Sequence, residues 1–335
     1  MKKEKLIPVF CIAVILCLTI TSCGKKKPAD NGKKRIAVVT SLFPLYDFTR
    51  NIGQNKADVT LLLPPGVEAH TFEPRPADIV RINSADIFVY TGRFMEPWVD
   101  NLLKSITNKN LTVVDSSDGI NLIEGAYQHE EDAGQQSRNE TNEAPPVHNQ
   151  MHTGHQLGRM DPHIWLDFSN AQKIVDNICA AMVEKDPLNK DFYLKNAEDY
   201  KLKLDELDRQ YRLTLQQCKY RTVIDAGHFA FGYLARRYNL IFISAYKGFT
   251  PDSEPTPKNM AELIEKIKLS GVKYLYFEEL ISPKVAEMLA KETGVKLLSL
   301  NGAHNISKDA MTRGDAFISI MQKNLENLKK GLQCQ

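Results

Sequence analysis

The stretch IAVVTSLFPLYDFTRNIGQNKADVTLLL, residues 36–63, contains one full period of the fold. It opens on a β-branched run, Ile36 to Thr40, crosses a gap of helical length, and closes on a second apolar run, Val59 to Leu63. Strand, helix and strand in that order are the repeating unit of a parallel α/β sheet. Working outward, Ile87 to Tyr90 and Leu111 to Val114 read as further strands, while Pro76–Ser84 and Met95–Ile106 carry apolar residues at helical spacing. The second half repeats the pattern, with strands expected at Thr222–Asp225, Ile241–Ser244, Tyr274–Phe277 and Lys296–Leu300. The expectation is an α/β protein of two lobes, residues 34–186 and 219–335.

Between the lobes the period changes. After Asp186-Pro187, apolar residues including Phe192, Leu194, Tyr200, Leu202, Leu204, Leu207, Tyr211, Leu213 and Leu215 recur without Gly or Pro as far as Cys218. One long helix over 187–218 fits, spanning roughly 45 Å at 1.5 Å per residue. Such a strut restrains hinge opening, so modest lobe motion is expected. Residues 116–160 follow neither period and offer few apolar side chains for a core, which reads as a disordered insertion. That insertion carries Glu124, Glu130, Glu131, Asp132, Glu140 and Glu143 together with His129, His148, His152 and His155. Two readings stand for it, a loop that gathers metal ions loosely or a solvated insertion.

The chain of 335 residues begins with Lys2, Lys3 and Lys5, runs through an apolar stretch from Leu6 to Ile20, and turns polar after Thr21-Ser22-Cys23-Gly24. This reads as a secretory signal over residues 1–22, and small residues ahead of Cys23 resemble a lipobox, with Cys23 acylated. Ordinary secretion with cleavage nearby is the alternative. Residues 23–33 then form a tether between the lipid and the folded body. Removing 1–22 leaves 40 of the 43 basic and 40 of the 41 acidic residues, so the mature chain has no net charge and no nucleic-acid footprint. Cys179, Cys218 and Cys334 remain besides Cys23, too widely spaced for a zinc knuckle, and their pairing is open.

Ligands of parallel α/β sheets sit at the carboxyl ends of strands. His70 follows the second strand through PPGVEAH, His228 follows the strand at 222–225 through DAGH, and His163 sits in DPHIWLD after the insertion. A lone histidine of this kind is more often structural, but three at equivalent topological points argue against that. Three neutral imidazoles make a good zinc site when a fourth ligand completes the tetrahedron.

The segments TSLFPLYDFTRNIG, LLLPPGVEAHTFEPRPADI, FMEPWVDNL, DPHIWLD, GHFAFGYLARRYNL and EPTP resemble the zinc- and manganese-binding substrate-binding proteins of bacterial ABC transporters. The resemblance runs in order from about Arg35 to the C-terminal helix. It implies two Rossmann-like lobes joined by a long backbone helix, with metal in the interlobe cleft. It implies His70 and His163 as ligands from the first lobe and His228 from the second. It further implies a monomer held outside the cytoplasm by its lipid anchor, delivering metal to a permease and its ATPase. Manganese members generally carry Glu where this chain has His228, so a nitrogen-rich set favours Zn(II) over Mn(II).

The departure from the family pattern is the fourth position, where many relatives place an Asp before the last helix. Here the segment reads LNGAHNISKDAMTRGDAF, and the family carboxylate falls near Asn305, beside His304. His304 is a candidate fourth ligand, with Asn305, Glu68, a loop histidine or water as alternatives. Asp309 is expected to be solvated, and Glu73, Glu96 and Glu254 are scaffold or outer-partner candidates. Three classes of function follow: metal capture for an importer, a zinc hydrolase, and a surface adhesin. A hydrolase needs an open coordination position and a general base, and no HExxH motif or recognisable triad appears.

Overall fold

The computed structural model describes residues 35–124, 160–246, 248–249, 255–280 and 282–335. The signal, Cys23, the insertion histidines and Glu254 therefore lie outside the described residues.

The first lobe runs β1 (Ile36–Thr40), α1 (Phe43–Gly53), β2 (Ala57–Leu61), α2 (Pro76–Asn83), β3 (Ile87–Tyr90), α3 (Val99–Ser105) and β4 (Thr112–Asp115). Two long helices follow, α4 (Phe168–Lys185) and α5 (Lys190–Leu215). The second lobe comprises β5 (Thr222–Asp225), α6 (Gly232–Arg237), β6 (Ile241–Ser244), α7 (Pro257–Ser270), β7 (Tyr274–Phe277), α8 (Lys284–Thr293), β8 (Lys296–Ser299), α9 (Lys308–Arg313) and α10 (Phe317–Gly331). Each lobe holds a parallel four-stranded sheet, ordered β2-β1-β3-β4 and β6-β5-β7-β8. In both, the order reverses beside the first strand, which opens a crevice at the carboxyl ends.

Helices cover both faces of each sheet, so alternate strand residues enter different cores. Ile36 and Val38 face one core and Val39 another; Val223 and Ile224 divide in the same way. The larger core is shared: Val38 and Phe48 of the first lobe, Tyr200 and Tyr211 of α5, and Val223 and Phe317 of the second lobe belong to one buried cluster.

The strut is α5, 26 residues and thus about 39 Å long. Its buried residues Tyr193, Ala197, Tyr200, Leu204, Leu207, Tyr211 and Leu215 fall three or four apart, one stripe along the helix. Polar groups in that stripe bind both lobes. Tyr200 donates to Asp47 Oδ2 of α1 at 2.9 Å, and Asp47 also accepts from the Phe317 N–H of α10 at 3.3 Å. Asp208 accepts from Arg237 of α6 at 2.7 and 2.8 Å and from Tyr238 at 2.6 Å. The C-terminal helix thus packs back across the strut, and a Cys218–Cys334 disulfide ties its end to the chain just after α5. Cys179 is the buried free thiol among the described cysteines.

Several boundaries differ from the sequence reading. The strut begins at Lys190, because Pro187–Asn189 is a separate 3-10 turn, and ends at Leu215. The expected strand 59–63 is shifted two residues earlier: Ala57 to Leu61 pair with Ile36 to Thr40, and Leu62 and Leu63 lie just past the last pair, bonded to the Thr40 and Ser41 carbonyls where β1 ends. The expected helix 95–106 starts only at Val99, because Glu96 folds its buried carboxylate back onto the Thr91 and Gly92 amides. Residues 116–124 correct the expectation of disorder over 116–160. Ser116 is buried and donates to Tyr90 O at 2.8 Å, while Glu124 bridges Met160 and the Asp161 N–H donates to Ile123 O at 2.9 Å. The insertion therefore leaves and re-enters the fold at adjacent points.

Asp208 provides a test of the strut. Burial pushes its carboxyl up, but the guanidinium of Arg237 with Tyr238 and Arg212 overcomes this and holds it at about 2. Asp208→Asn should cost about 3 kcal/mol in chemical denaturation at neutral pH, because it leaves Arg237 half-buried with one partner fewer. The sign follows from the depressed value: the wild-type advantage is full above the ordinary carboxyl value of 3.8 and disappears as pH falls through about 2. An advantage that stays constant from pH 5 to pH 2 would contradict this assignment.

Candidate metal centre

Four histidines meet where the two crevices face each other. His70 lies in the loop between β2 and α2, His163 just before α4, His228 just after β5, and His304 between β8 and α9. His163 and His228 are buried, while His70 and His304 are partly so. The Nε2 atoms of His163 and His70 are 3.3 Å apart, and those of His228 and His163 are 3.4 Å apart. One nitrogen from each of the four falls within 4.8 Å of all the others.

These separations have a specific chemical meaning. Nitrogens bound at about 2.0–2.1 Å to a tetrahedral zinc ion lie about 3.3–3.4 Å from each other. His304 Nε2 is buried with no partner in the protein. A buried imidazole nitrogen without a partner is costly unless something accepts its lone pair or its proton. The donor set therefore fits a tetrahedral cation.

The protonation of the cluster is set by its surroundings. Burial holds His70, His163 and His304 well below the ordinary value of 6.5, and neighbouring imidazoles add to the effect. Burial also opposes charge on His228, yet the carboxylates of Glu278, Glu68 and Asp225 overcome it and raise that group. Glu278 Oε1 lies 2.8 Å from His228 Nδ1 and accepts the His228 backbone N–H at 2.9 Å. The Nδ1 contact is a close ion-pair approach and not an aligned hydrogen bond. On the other side, Asp161 Oδ1 sits 2.7 Å from His163 Nδ1 and accepts the His163 N–H at 2.9 Å. A carboxyl oxygen that accepts from Nδ1–H fixes the tautomer that turns the Nε2 lone pair inward. Burial pushes Asp161 itself up to about 8, against the His163 N–H, which lowers it.

Glycine makes room for these carboxylates. A Cβ on Gly227 would stand 2.0 Å from Glu278 Oε1, and one on Gly232 would stand 2.3 Å from Asp161 Oδ2. Thus the Gly of DAGH and the second Gly of GHFAFG serve the outer partners of His228 and His163. The His304 loop is anchored differently. Trp165 of DPHIWLD donates its indole N–H to Gly302 O at 2.8 Å, and Ala303 takes a left-handed φ of 57° just before the histidine.

Among the alternatives for the fourth position, Asn305 donates its side-chain amide to backbone carbonyls, and Glu68 accepts the His70 N–H at 3.0 Å. Neither belongs to the four-nitrogen cluster. Glu96 is scaffold, accepting from Ser41 Oγ at 2.5 Å, and Glu73 and Asp309 are exposed. The sequence reading missed Asp161, Glu278 and Asp225. Each carried a signal: two are the Asp two or three residues ahead of a ligand candidate in DPH and DAGH, and Glu278 follows strand β7 at its carboxyl end.

Comparison with known proteins places the chain in a family. The family model described as zinc-uptake complex component A, periplasmic, matches residues 38–331. This chain belongs to that family. It is 40% identical to the high-affinity zinc uptake system protein ZnuA of Bacillus subtilis over 94% of each chain. The Zn(II)-bound ZnuA-like domain of Streptococcus pneumoniae AdcA superimposes with a TM-score of 0.71 at 32% identity, covering 89% of this chain and 99% of that one. Full-length AdcA proteins are longer: the chain spans 61% of the Streptococcus pyogenes protein. The laminin-binding protein of Streptococcus agalactiae, described as having adhesin and metal-transporting activity, aligns with a TM-score of 0.72 at 27% identity over 89% of this chain and 100% of that one. Members of the family are binding components of metal transport and not an enzyme family.

The electrostatics can be read directly. In metal-free protein at pH 6.5, ring-nitrogen NMR shifts should report the cluster as three neutral imidazoles, His70, His163 and His304, and one imidazolium, His228. Four equivalent rings, all half-titrated at that pH, would remove the assigned roles of burial and of Glu278.

Proposed function

We propose that this chain captures Zn(II) outside the cytoplasm and delivers it to an ABC importer. The observation that carries the reading is the pair of Nε2 separations, 3.3 and 3.4 Å, which match the edge of a zinc tetrahedron. His70, His163, His228 and His304 supply the ligands, with Asp161 and Glu278 holding two of the rings in register. Uncharged nitrogen donors suit zinc better than manganese, whose preference is for oxygen. Four protein ligands complete a tetrahedron and leave no position for a reactive water, which favours binding over hydrolysis. The cargo bridges the lobes, since His228 belongs to the second and His70 and His163 to the first.

Delivery requires a membrane permease and its ATPase, and acylated Cys23 would hold the monomer at the membrane that contains them. Acylation adds about 0.8 kcal/mol per buried CH₂, so a lipid anchor keeps a soluble body near its importer. The adhesin alternative draws support from laminin-binding relatives of Streptococcus pyogenes and Streptococcus agalactiae, and no feature of the described residues favours it over capture.

Two measurements test the proposal. Protein purified without added metal should carry one zinc per chain by elemental analysis, and His228→Ala should lower zinc affinity in chelator competition by at least two orders of magnitude while leaving the metal-free far-UV spectrum unchanged. Wild-type protein without zinc, or a variant of native affinity, would refute it. Deleting residues 128–155 should keep the tight site and remove only weak additional binding; loss of the tight site would transfer the chemistry to His129, His148, His152 and His155.

A further inference from the structure

The segment Gly302–Ile306 belongs by sequence to the second lobe, yet three of its backbone carbonyls accept from the first. Gly302 O accepts from the Trp165 indole at 2.8 Å, His304 O from the Phe43 N–H at 3.2 Å, and Ile306 O from the Gly66 N–H at 2.9 Å. Asn305 is the one side chain of the segment that joins in. It is 1% exposed and donates both amide hydrogens across the cleft, to Pro64 O at 2.7 Å and Val67 O at 2.9 Å. Its own carbonyl is turned back to accept the Ile306 N–H at 2.9 Å. Pro64 to Val67 is the piece of chain that leads directly into His70, and Asn305 directly follows His304.

We infer that Asn305 is an interlobe latch: its amide clamps the loop carrying His304 to the loop carrying His70, and the rate at which the bound ion leaves is set by the opening of this clamp. This rests on the zinc-capture reading and deepens it. Exit of an ion held by buried histidines requires its ligands to separate. His70 and His304 are the two partly exposed members of the cluster, so the least buried route out passes between them. The backbone bonds of the segment are common to any side chain at 305. The two amide bonds are not, and both must break before the loops part. Entry and exit share this route, so a side chain that restrains opening without touching the ion slows both, and departure is the step that chelator capture reads directly.

The experiment compares wild type, Asn305→Ala and Asn305→Ser. Zinc dissociation is followed by stopped-flow mixing with excess chelator, and the ligand set is checked by the visible spectrum of the cobalt-substituted protein. Dissociation should quicken roughly ten- to a hundredfold in Asn305→Ala and by less in Asn305→Ser, which retains one donor, at an unchanged tetrahedral cobalt spectrum. A merely structural role would lower the melting temperature and leave the off-rate at the wild-type value, and that outcome overturns the latch. If Asn305→Ala does not fold, the off-rate of Asn305→Ser decides alone, accelerated for the latch and unchanged against it. Failure of wild-type protein to bind zinc or cobalt at all would instead sink the capture reading itself.

Discussion

The constraint on which this molecule depends is that four imidazole nitrogens must point at one another inside a cleft from which water is largely excluded. Lone pairs brought within 3.3–3.4 Å repel unless a proton or a cation lies between them. Everything around the cluster keeps the rings in that arrangement. Asp161 and Glu278 hold the outward nitrogens of His163 and His228, and glycines at 232 and 227 leave space for those carboxylates. The left-handed Ala303 and the Trp165 indole aim His304. Buried imidazole nitrogens held in place before any guest arrives make a site organised for capture.

The two lobes could meet reproducibly only if something larger than the site fixed their separation. That role falls to α5, whose stripe of tyrosines and leucines belongs to a core shared by both lobes. Asp47, bound to Tyr200, and Asp208 add polar joints along the middle of the strut, and α10 crosses back to close the arrangement. A continuous core resists wide hinge opening, because separating the lobes would expose apolar surface. The segment 302–306 joins that core through Ala303 and Ile306 and is bonded across the cleft, so the loop carrying His304 is tied to the body that holds the lobes together.

Much of the architecture was legible in the sequence because strand and helix periods are local properties. The alternation of short β-branched runs with helical stretches marked both sheets, and an uninterrupted apolar stripe marked α5. Errors fell at places where one side chain overrides the local period. Glu96 unwinds the start of the expected helix at 95 by folding onto the amides of Thr91 and Gly92, and Ser116 is drawn into the core by the Tyr90 carbonyl. Neither bond leaves a trace in hydrophobic spacing, since each joins groups whose partnership exists only after the sheet has formed.

The sequence by itself determined the class of fold and the strut, and it marked three histidines near strand ends as candidates, since each of these follows from the pattern within a single segment. Tertiary structure alone decided that His304 joins them, that Asn305 spends its amide on the opposite lobe, and that Asp161 and Glu278 stand behind the ring nitrogens. It also decided that Cys218 pairs with Cys334. The reason is physical: each of these contacts joins groups far apart in the chain or depends on the direction of a side chain, and direction is settled only when both lobes have packed against the shared core.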